Sequence, residues 1–112
     1  DYKSKVSVKH DGEKQVDYPM KNWSSLMLFN CARCKALTPE YINTATGQQL
    51  HQFQWLDDEI GGLPIEWNWL VDEYEYRKDV ANIHYTLGGP WFGNKTDYDD
   101  EWFSQACQSY IA

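Results

Sequence analysis

The order of apolar and polar residues predicts a chain of short strands and helices. Val6-Ser7-Val8 alternates and then enters a polar segment, which is typical of a short strand that leads into a loop. The run Trp23–Phe29 is largely apolar and contains neither Gly nor Pro, so it predicts a central strand buried on both faces. Alternation over Ile65–Val71 and the apolar positions of Val80–Tyr85 predict two further strands.

Three segments carry helix signals. Thr38-Pro39-Glu40 combines a hydroxyl cap, a proline at the first helical position and an acid in the first turn, and we expect that helix to end at Gly47. Leu50–Asp58 has apolar residues at roughly helical spacing, which predicts a short helix that ends in a loop before Gly61-Gly62. Asp97–Ile111 predicts the last helix, with acids in its first turn and an apolar face formed by Trp102, Phe103, Ala106, Tyr110 and Ile111.

Strands and helices mixed along 112 residues predict an α/β or α+β fold, with a small mixed sheet and flanking helices. The length suits one hydrophobic core, so we expect a single domain over residues 1–112. Six Trp and eight Tyr are more rings than a core of this size readily hides, which favours some of them lining a cleft or an interface.

The net charge of the chain limits which classes of partner it can bind, and its cysteine content indicates the compartment. A net charge of −7 argues against a nucleic acid or an anionic membrane surface as partner, because neither is attracted to an acidic protein. No apolar run approaches the roughly 20 residues that span a bilayer.

Three cysteines are an odd number and favour reduced thiols in a cytoplasmic protein. Cys31-Ala32-Arg33-Cys34 has redox or zinc spacing, against the plainer interpretation of ordinary thiols.

Four segments, in order and spacing over roughly residues 6 to 104, carry a family resemblance. They are Asn22–Asn30, then Leu56-Asp57-Asp58, then Leu63-Pro64 with Trp67-Asn68, and finally His84 with Gly88-Gly89-Pro90-Trp91. Together they resemble the C-terminal half of bacterial and phage GT-A type glycosyltransferases related to the glycogenin-like group. The resemblance implies transfer of a hexose from a nucleotide sugar to a glycan or another acceptor, with this chain on the acceptor side of the domain.

The same resemblance implies a divalent metal, Mn²⁺ or Mg²⁺, that neutralises the two phosphates of the donor. It assigns His84 as a metal ligand and Gly88 and Gly89 as a turn whose backbone approaches a phosphate, with Trp91 as a wall of the sugar or acceptor site. The residues alone leave two simpler interpretations open. His84 could be a hydrogen-bonded histidine at a strand end, and Gly88-Gly89-Pro90 could be a tight turn.

Acidic and hydroxyl residues supply the other candidates that the resemblance implies. Asp57 and Asp58 match acidic or amide positions that contact the transferred sugar or acceptor, and a carboxylate there could stabilise positive charge at the anomeric carbon. Trp23, Ser24 and Ser25 match the floor of the sugar site. The alternatives are a solvated acidic loop for Asp57 and Asp58, and the filling of a central strand for Trp23, Ser24 and Ser25.

One departure from the family limits the expected activity. The family's Asp-x-Asp metal motif belongs upstream of Val6, and we expect this chain to begin too late to contain it. Asp97-Tyr98-Asp99 fits the letters, but it opens the last helix, where acids cap the backbone. We therefore expect a truncated domain that is inactive alone and that self-associates or pairs with a missing N-terminal half. The alternatives are a non-catalytic carbohydrate or small-ligand binding module and a homo-oligomeric interaction protein.

Overall fold

The computed structural model of the protein describes the backbone of residues 2–111 and the side chains of residues 2–110. The chain divides into two compact units. The first unit contains residues 2–3 and 17–63, and the second contains residues 4–16 and 64–111. Helices together with a two-stranded parallel sheet confirm the α/β or α+β class predicted from the sequence. The prediction of a single domain stays a prediction.

The first unit carries two short helices whose starts are fixed by side-chain caps. Helix α1, Pro39–Thr44, begins where the sequence predicts, and the amide of Tyr41 donates to Oγ1 of Thr38 at 3.2 Å. The prediction that this helix continues to Gly47 is wrong, because Thr46 starts a second helix. Thr46 and Gln49 form a capping box at the start of this second helix. Gln49 N donates to Thr46 Oγ1 at 3.1 Å, and Thr46 N donates to Gln49 Oε1 at 2.8 Å.

Helix α2, Gly47–His51, contains only the first two residues of the helix predicted over 50–58. Phe53 has a φ of 53°, a left-handed conformation that a right-handed helix does not contain. The residues after His51 therefore form turns, and Nε1 of Trp55 donates back to the carbonyl of Leu50 at 3.3 Å.

The predicted central strand Trp23–Phe29 is wrong. Trp23–Ser25 is a 3₁₀ helix that follows a left-handed Asn22, and the hydroxyl of Ser25 donates to the carbonyl of Asn22 at 2.6 Å. This local bond gives the backbone an alternative to a strand ladder. Met27, Leu28 and Phe29 are exposed rather than buried, and Leu28 is 84% exposed.

The sheet and the hydrophobic core lie in the second unit. Strand β1, Trp69–Leu70, pairs in parallel with strand β2, Ile83–His84, so that Leu70 aligns with His84. Both strands are shorter than predicted. The first part of the strand predicted over 65–71 is instead a 3₁₀ helix, Ile65–Asn68. The strand predicted at Val6–Val8 reduces to one antiparallel bridge between Val8 and Lys14. The buried hydrophobic residues are Trp69, Leu70, Val71, Leu87 and Tyr98.

The connection between β1 and β2 has no helix and is held by two aromatic side chains. Trp69 donates from Nε1 to the carbonyl of Glu75 at 3.2 Å, and the Arg77 guanidinium lies 4.9 Å from the Trp69 ring centroid. The Tyr98 hydroxyl accepts from Arg77 N at 2.9 Å and donates to Arg77 O at 2.8 Å. These bonds satisfy backbone groups of the loop and position β2 against β1.

Helix α3, Asp99–Ile111, confirms the predicted last helix, with its start two residues later than expected. Tyr98 has a φ of 61°, and the carboxylate of Asp99 accepts from Thr96 N at 3.0 Å. Asp99 therefore acts as a helix-start residue, as predicted for the acids here. On the predicted apolar face Trp102 and Ala106 are half-buried, Phe103 and Tyr110 are exposed, and the side chain of Ile111 lies outside the described residues.

Candidate functional site

The residues singled out by the sequence fall into two groups, one in each unit. His84, Gly88, Gly89 and Trp91 lie in the second unit, where one short segment carries all four. Trp23, Ser24, Ser25, Asp57 and Asp58 lie in the first unit. Each group has contacts within its own unit that define what its side chains can do.

His84 is placed by the parallel register of the two strands. It ends β2, half-buried, and its Nδ1 lies 2.9 Å from Oδ1 of Asn68, the residue before β1. An amide oxygen only accepts, so this bond requires a proton on Nδ1 of His84. In the neutral ring that tautomer leaves the Nε2 lone pair for a metal ion or a hydrogen-bond donor.

The ionisation of His84 favours the same neutral form. Burial lowers the pKa of His84 below its usual value, and the positive charge of Lys9 lowers it further. A histidine must be neutral to bind a metal ion. His84 is therefore held in the tautomer and the charge state that a metal ligand requires, with Asn68 as its positioning residue.

Gly88 and Gly89 follow β2 in a turn, and the structure gives each a packing reason. Gly88 has a φ of 100°, which favours glycine, and a Cβ there would lie 3.0 Å from the Phe92 ring. A Cβ on Gly89 would lie 2.0 Å from the ring of Trp91. The glycines therefore allow two aromatic rings to fold back onto the turn. Their role in phosphate binding stays a prediction from the sequence.

Trp91 belongs to a cluster of aromatic rings on the second unit. Its ring centroid lies 5.3 Å from that of Trp102 and 5.6 Å from that of Tyr85. Phe92 and Phe103 extend the cluster, and Trp91 itself is 48% exposed. Half-exposed rings that are fixed by neighbours present flat apolar surfaces on which sugar rings stack.

Tyr85 links this aromatic cluster to the core. Its hydroxyl donates to the carbonyl of Tyr98 at 2.7 Å. Burial, followed by the negative charges of Asp99 and Glu101, raises the pKa of Tyr85 to about 12. Tyr85 is thus a neutral hydrogen-bond donor that fixes the edge on which Trp91 packs.

Asp57 and Asp58, adjacent in the first unit, have different surroundings. Oδ2 of Asp58 lies 2.8 Å from Nε of Arg33, whereas Asp57 is exposed. The Arg33 guanidinium fixes the direction of the Asp58 carboxylate and neutralises part of its charge. Asp57 keeps the acceptor capacity of a solvated carboxylate for sugar hydroxyls. Arg33 is a contact that the sequence did not reveal, since it is 25 residues away from Asp58.

The hydroxyl residues predicted as a sugar-site floor have separate partners. Ser24 Oγ lies 2.6 Å from Nδ1 of His51, at the end of α2, while the Ser25 hydroxyl bonds to its own turn. Trp23 is partly exposed. Ser24 and His51 form a pair of hydrogen-bonding groups near the surface, and His51 gave no motif signal in the sequence.

The chemistry of the described donors bears on the metal that the family resemblance implies. His84 fits the chemistry of one ligand. Within residues 2–111, however, no group of three or more His, Cys, Asp or Glu side chains is arranged to hold a metal ion. A complete metal site therefore requires donors beyond those grouped in this part of the chain.

Comparison with known proteins finds one clear similarity. Protein CDI of Arabidopsis thaliana is 45% identical over 115 aligned residues, which cover 94% of this chain and 44% of that protein. The chain thus spans less than half the length of this relative. No protein-family model matches the chain. No solved structure matches it. Among the described helices, none is long and apolar enough to cross a membrane.

Proposed function

We propose that this chain is the acceptor-side part of a metal-dependent glycosyltransferase domain, which transfers a hexose from a nucleotide sugar to a glycan or another acceptor. The observation that carries the proposal is His84 itself. Its Nδ1 is engaged by Asn68, and its pKa is lowered by burial. Both features prepare Nε2 to coordinate a cation next to the turn at Gly88-Gly89.

In this proposal His84 would supply one protein ligand to Mn²⁺ or Mg²⁺. When bound, the cation neutralises the departing nucleotide diphosphate. Trp91 would provide a wall for the sugar or acceptor, and the turn at Gly88-Gly89 would let the backbone approach the phosphates. Because no group of three or more metal-binding side chains occurs among residues 2–111, we expect no transfer by this chain alone.

The first unit carries candidate sugar contacts of its own. Asp57 accepts hydrogen bonds from sugar hydroxyls, and Asp58, fixed by Arg33, offers a directed carboxylate. Ser24 and His51 add a hydroxyl and an imidazole that are already paired. We expect Asp57→Asn to weaken acceptor binding with little effect on donor binding.

Calorimetry separates this proposal from its rivals. The protein is titrated with UDP-glucose, UDP-galactose and GDP-mannose, each with and without Mn²⁺, and then with free oligosaccharides. Metal-dependent binding of a nucleotide sugar that His84→Ala abolishes, and that Tyr110→Ala at a 93% exposed position retains, supports the proposal. Absence of metal-dependent donor binding overturns it.

The aromatic cluster favours a second candidate function, a non-catalytic carbohydrate-binding module. Trp91, Phe92 and Phe103 are each close to half exposed, which is a large apolar surface for a small unit. Binding of free oligosaccharides without metal, lost on Trp91→Ala and unaffected by His84→Ala, identifies this alternative.

Exposed apolar residues of the first unit support self-association or coverage by further chain. Met27, Leu28 and Phe29 are exposed in succession, and such a run on a monomer surface favours an interface. We propose a homo-oligomer, in a cytoplasmic compartment that fits the three unpaired cysteines. Sedimentation velocity tests the oligomer, and Leu28→Glu is expected to yield monomers.

A further inference from the structure

The Cys31-Ala32-Arg33-Cys34 segment forms a turn in the first unit. Residues 31–33 are in turn conformation, and Arg33 N donates to Asn30 O at 2.9 Å. In turns, Cα atoms three residues apart lie within about 7 Å. A disulfide requires a Cα separation of about 4.4–6.8 Å. Ala32 and Arg33, the two residues between the cysteines, are both in turn conformation, a backbone arrangement that allows Cys31 and Cys34 to approach to this separation.

The two thiols differ in accessibility. Cys31 is exposed, Cys34 is half-buried, and both are free thiols in the structure. An exposed thiol meets a dissolved oxidant first, and a less accessible neighbour then acts as the resolving thiol. Cys107 is exposed on α3 in the second unit, so it is not assigned to this pair of thiols.

An ion pair holds the turn in place. Arg33, between the two cysteines, contacts the Asp58 carboxylate through Nε at 2.8 Å. Cys34 O also accepts from Leu37 N at 3.2 Å, which starts a second turn directly after the first. Together with the bond from Arg33 N to Asn30 O, these contacts order the backbone that carries the two thiols. Ordering it before reaction lowers the entropy cost of ring closure.

We infer that Cys31 and Cys34 form a redox-active dithiol that a hydroperoxide converts into an intramolecular disulfide. The Cys31 thiolate attacks the O–O bond of the hydroperoxide, giving a sulfenic acid on Cys31 and releasing water or an alcohol after protonation. The Cys34 thiol then attacks the sulfenic sulfur, the S–S bond forms, and the sulfenic oxygen leaves as water. A reductant thiol reverses the reaction. This chemistry is independent of the proposed glycosyl transfer.

The test is oxidation of the reduced protein with one equivalent of hydrogen peroxide, followed by thiol titration and peptide mass mapping. We expect the count of titratable thiols to fall from three to one, with Cys31 and Cys34 joined and the protein lighter by two hydrogen atoms. Cys107→Ser is expected to close the same disulfide. Three remaining thiols, or a disulfide that includes Cys107, overturns the inference.

Two further variants test the assigned roles. Cys34→Ser is expected to stop oxidation at a Cys31 sulfenic acid that dimedone traps, and trapping on Cys107 instead contradicts the assignment. Arg33→Ala is expected to slow disulfide closure about two- to fivefold, the range that corresponds to a partly exposed ion pair. Lys35→Ala, the matched removal of a neighbouring cation, is expected to leave the rate unchanged. Equal rates for Arg33→Ala and wild type contradict the anchoring role.

Discussion

Nδ1 of His84, the last residue of β2, lies 2.9 Å from Oδ1 of Asn68, the residue before β1. The register aligns Leu70 with His84, and Asn68 precedes Leu70 by two residues, so the sheet itself brings the amide to the imidazole. Asn68 sets the tautomer of His84, and burial sets its charge. A metal ligand and a structural histidine differ in what binds Nε2.

Acid is expected to destabilise the protein through His84. Its pKa in the folded state lies below the usual value, so the unfolded chain takes up the proton first as pH falls. The stabilising contribution is present above about pH 6.5 and is lost below it. Urea unfolding from pH 8 to pH 5 is expected to show a smaller loss of stability in His84→Gln than in wild type. The control Tyr110→Gln, at a 93% exposed position, is expected to lose as much stability as wild type, and equal losses in all three proteins contradict the assignment.

Alkaline pH is expected to act through Tyr85. Its pKa is raised to about 12 in the folded state, from 10.0. The unfolded chain therefore loses the proton first as pH rises, and the contribution of Tyr85 to stability declines from pH 10 to pH 12. Tyr85→Phe is expected to cost about 1 kcal/mol at pH 8, from loss of the bond to Tyr98 O, and to reduce the alkaline decline.

Urea unfolding at pH 8 and at pH 11 measures both effects of Tyr85→Phe. Tyr110→Phe is the matched control, because Tyr110 is 93% exposed. An alkaline decline that is unchanged by Tyr85→Phe would show that another group carries it.

A methyl group at Gly89 is expected to disturb the aromatic cluster. The added Cβ would lie 2.0 Å from the Trp91 ring, which packs against Tyr85 and Trp102 and cannot move away without losing those contacts. We expect Gly89→Ala to lower the free energy of unfolding by about 1–3 kcal/mol and to shift tryptophan emission. Gly61→Ala, where a Cβ meets open space, is the control. Equal stability of the two variants contradicts this packing.

Glu73 is expected to be the main attachment of residues 4–5 to the second unit. Its side chain is buried, and it accepts hydrogen bonds from Ser4 Oγ and, at 2.9 Å, from Lys5 N. Glu73→Ala leaves both donors without this acceptor and is expected to cost about 1–3 kcal/mol. The exposed Glu75→Ala serves as control in urea unfolding, and a loss no larger than that of the control argues against the attachment.

Local chemistry explains which elements could be predicted from the sequence. Thr38-Pro39 and the acids before α3 act on neighbouring backbone groups, so the starts of α1 and α3 were predictable to within two residues. Thr46 and Gln49 carry an equally local signal, which makes Gly47 a helix start rather than an end. The prediction of a strand over Trp23–Phe29 was wrong, because a strand forms only where another strand pairs with it. Composition alone does not show whether such a partner strand exists.

In the candidate site, too, local features could be predicted from the sequence, whereas long-range contacts could not. The position of His84 at the end of a strand follows from its neighbours in sequence and is confirmed. Its contact with Asn68 depends on the register of β1 and β2, and the contact of Asp58 with Arg33 depends on how the first unit folds. Neither of these two long-range contacts produces a periodic pattern in the sequence from which it could be predicted.

Manganese broadening of the histidine NMR signals tests the central claim most directly, because the chain contains three histidines that act as internal references. The ring signals of His10, His51 and His84 are recorded while Mn²⁺ is added at substoichiometric amounts with a nucleotide sugar, and Mg²⁺ provides the diamagnetic control. The proposal predicts that His84 broadens first and that Asn68→Ala weakens the effect about tenfold or more. Broadening of His10 or His51 before His84, or equal broadening of all three, contradicts His84 as the metal ligand.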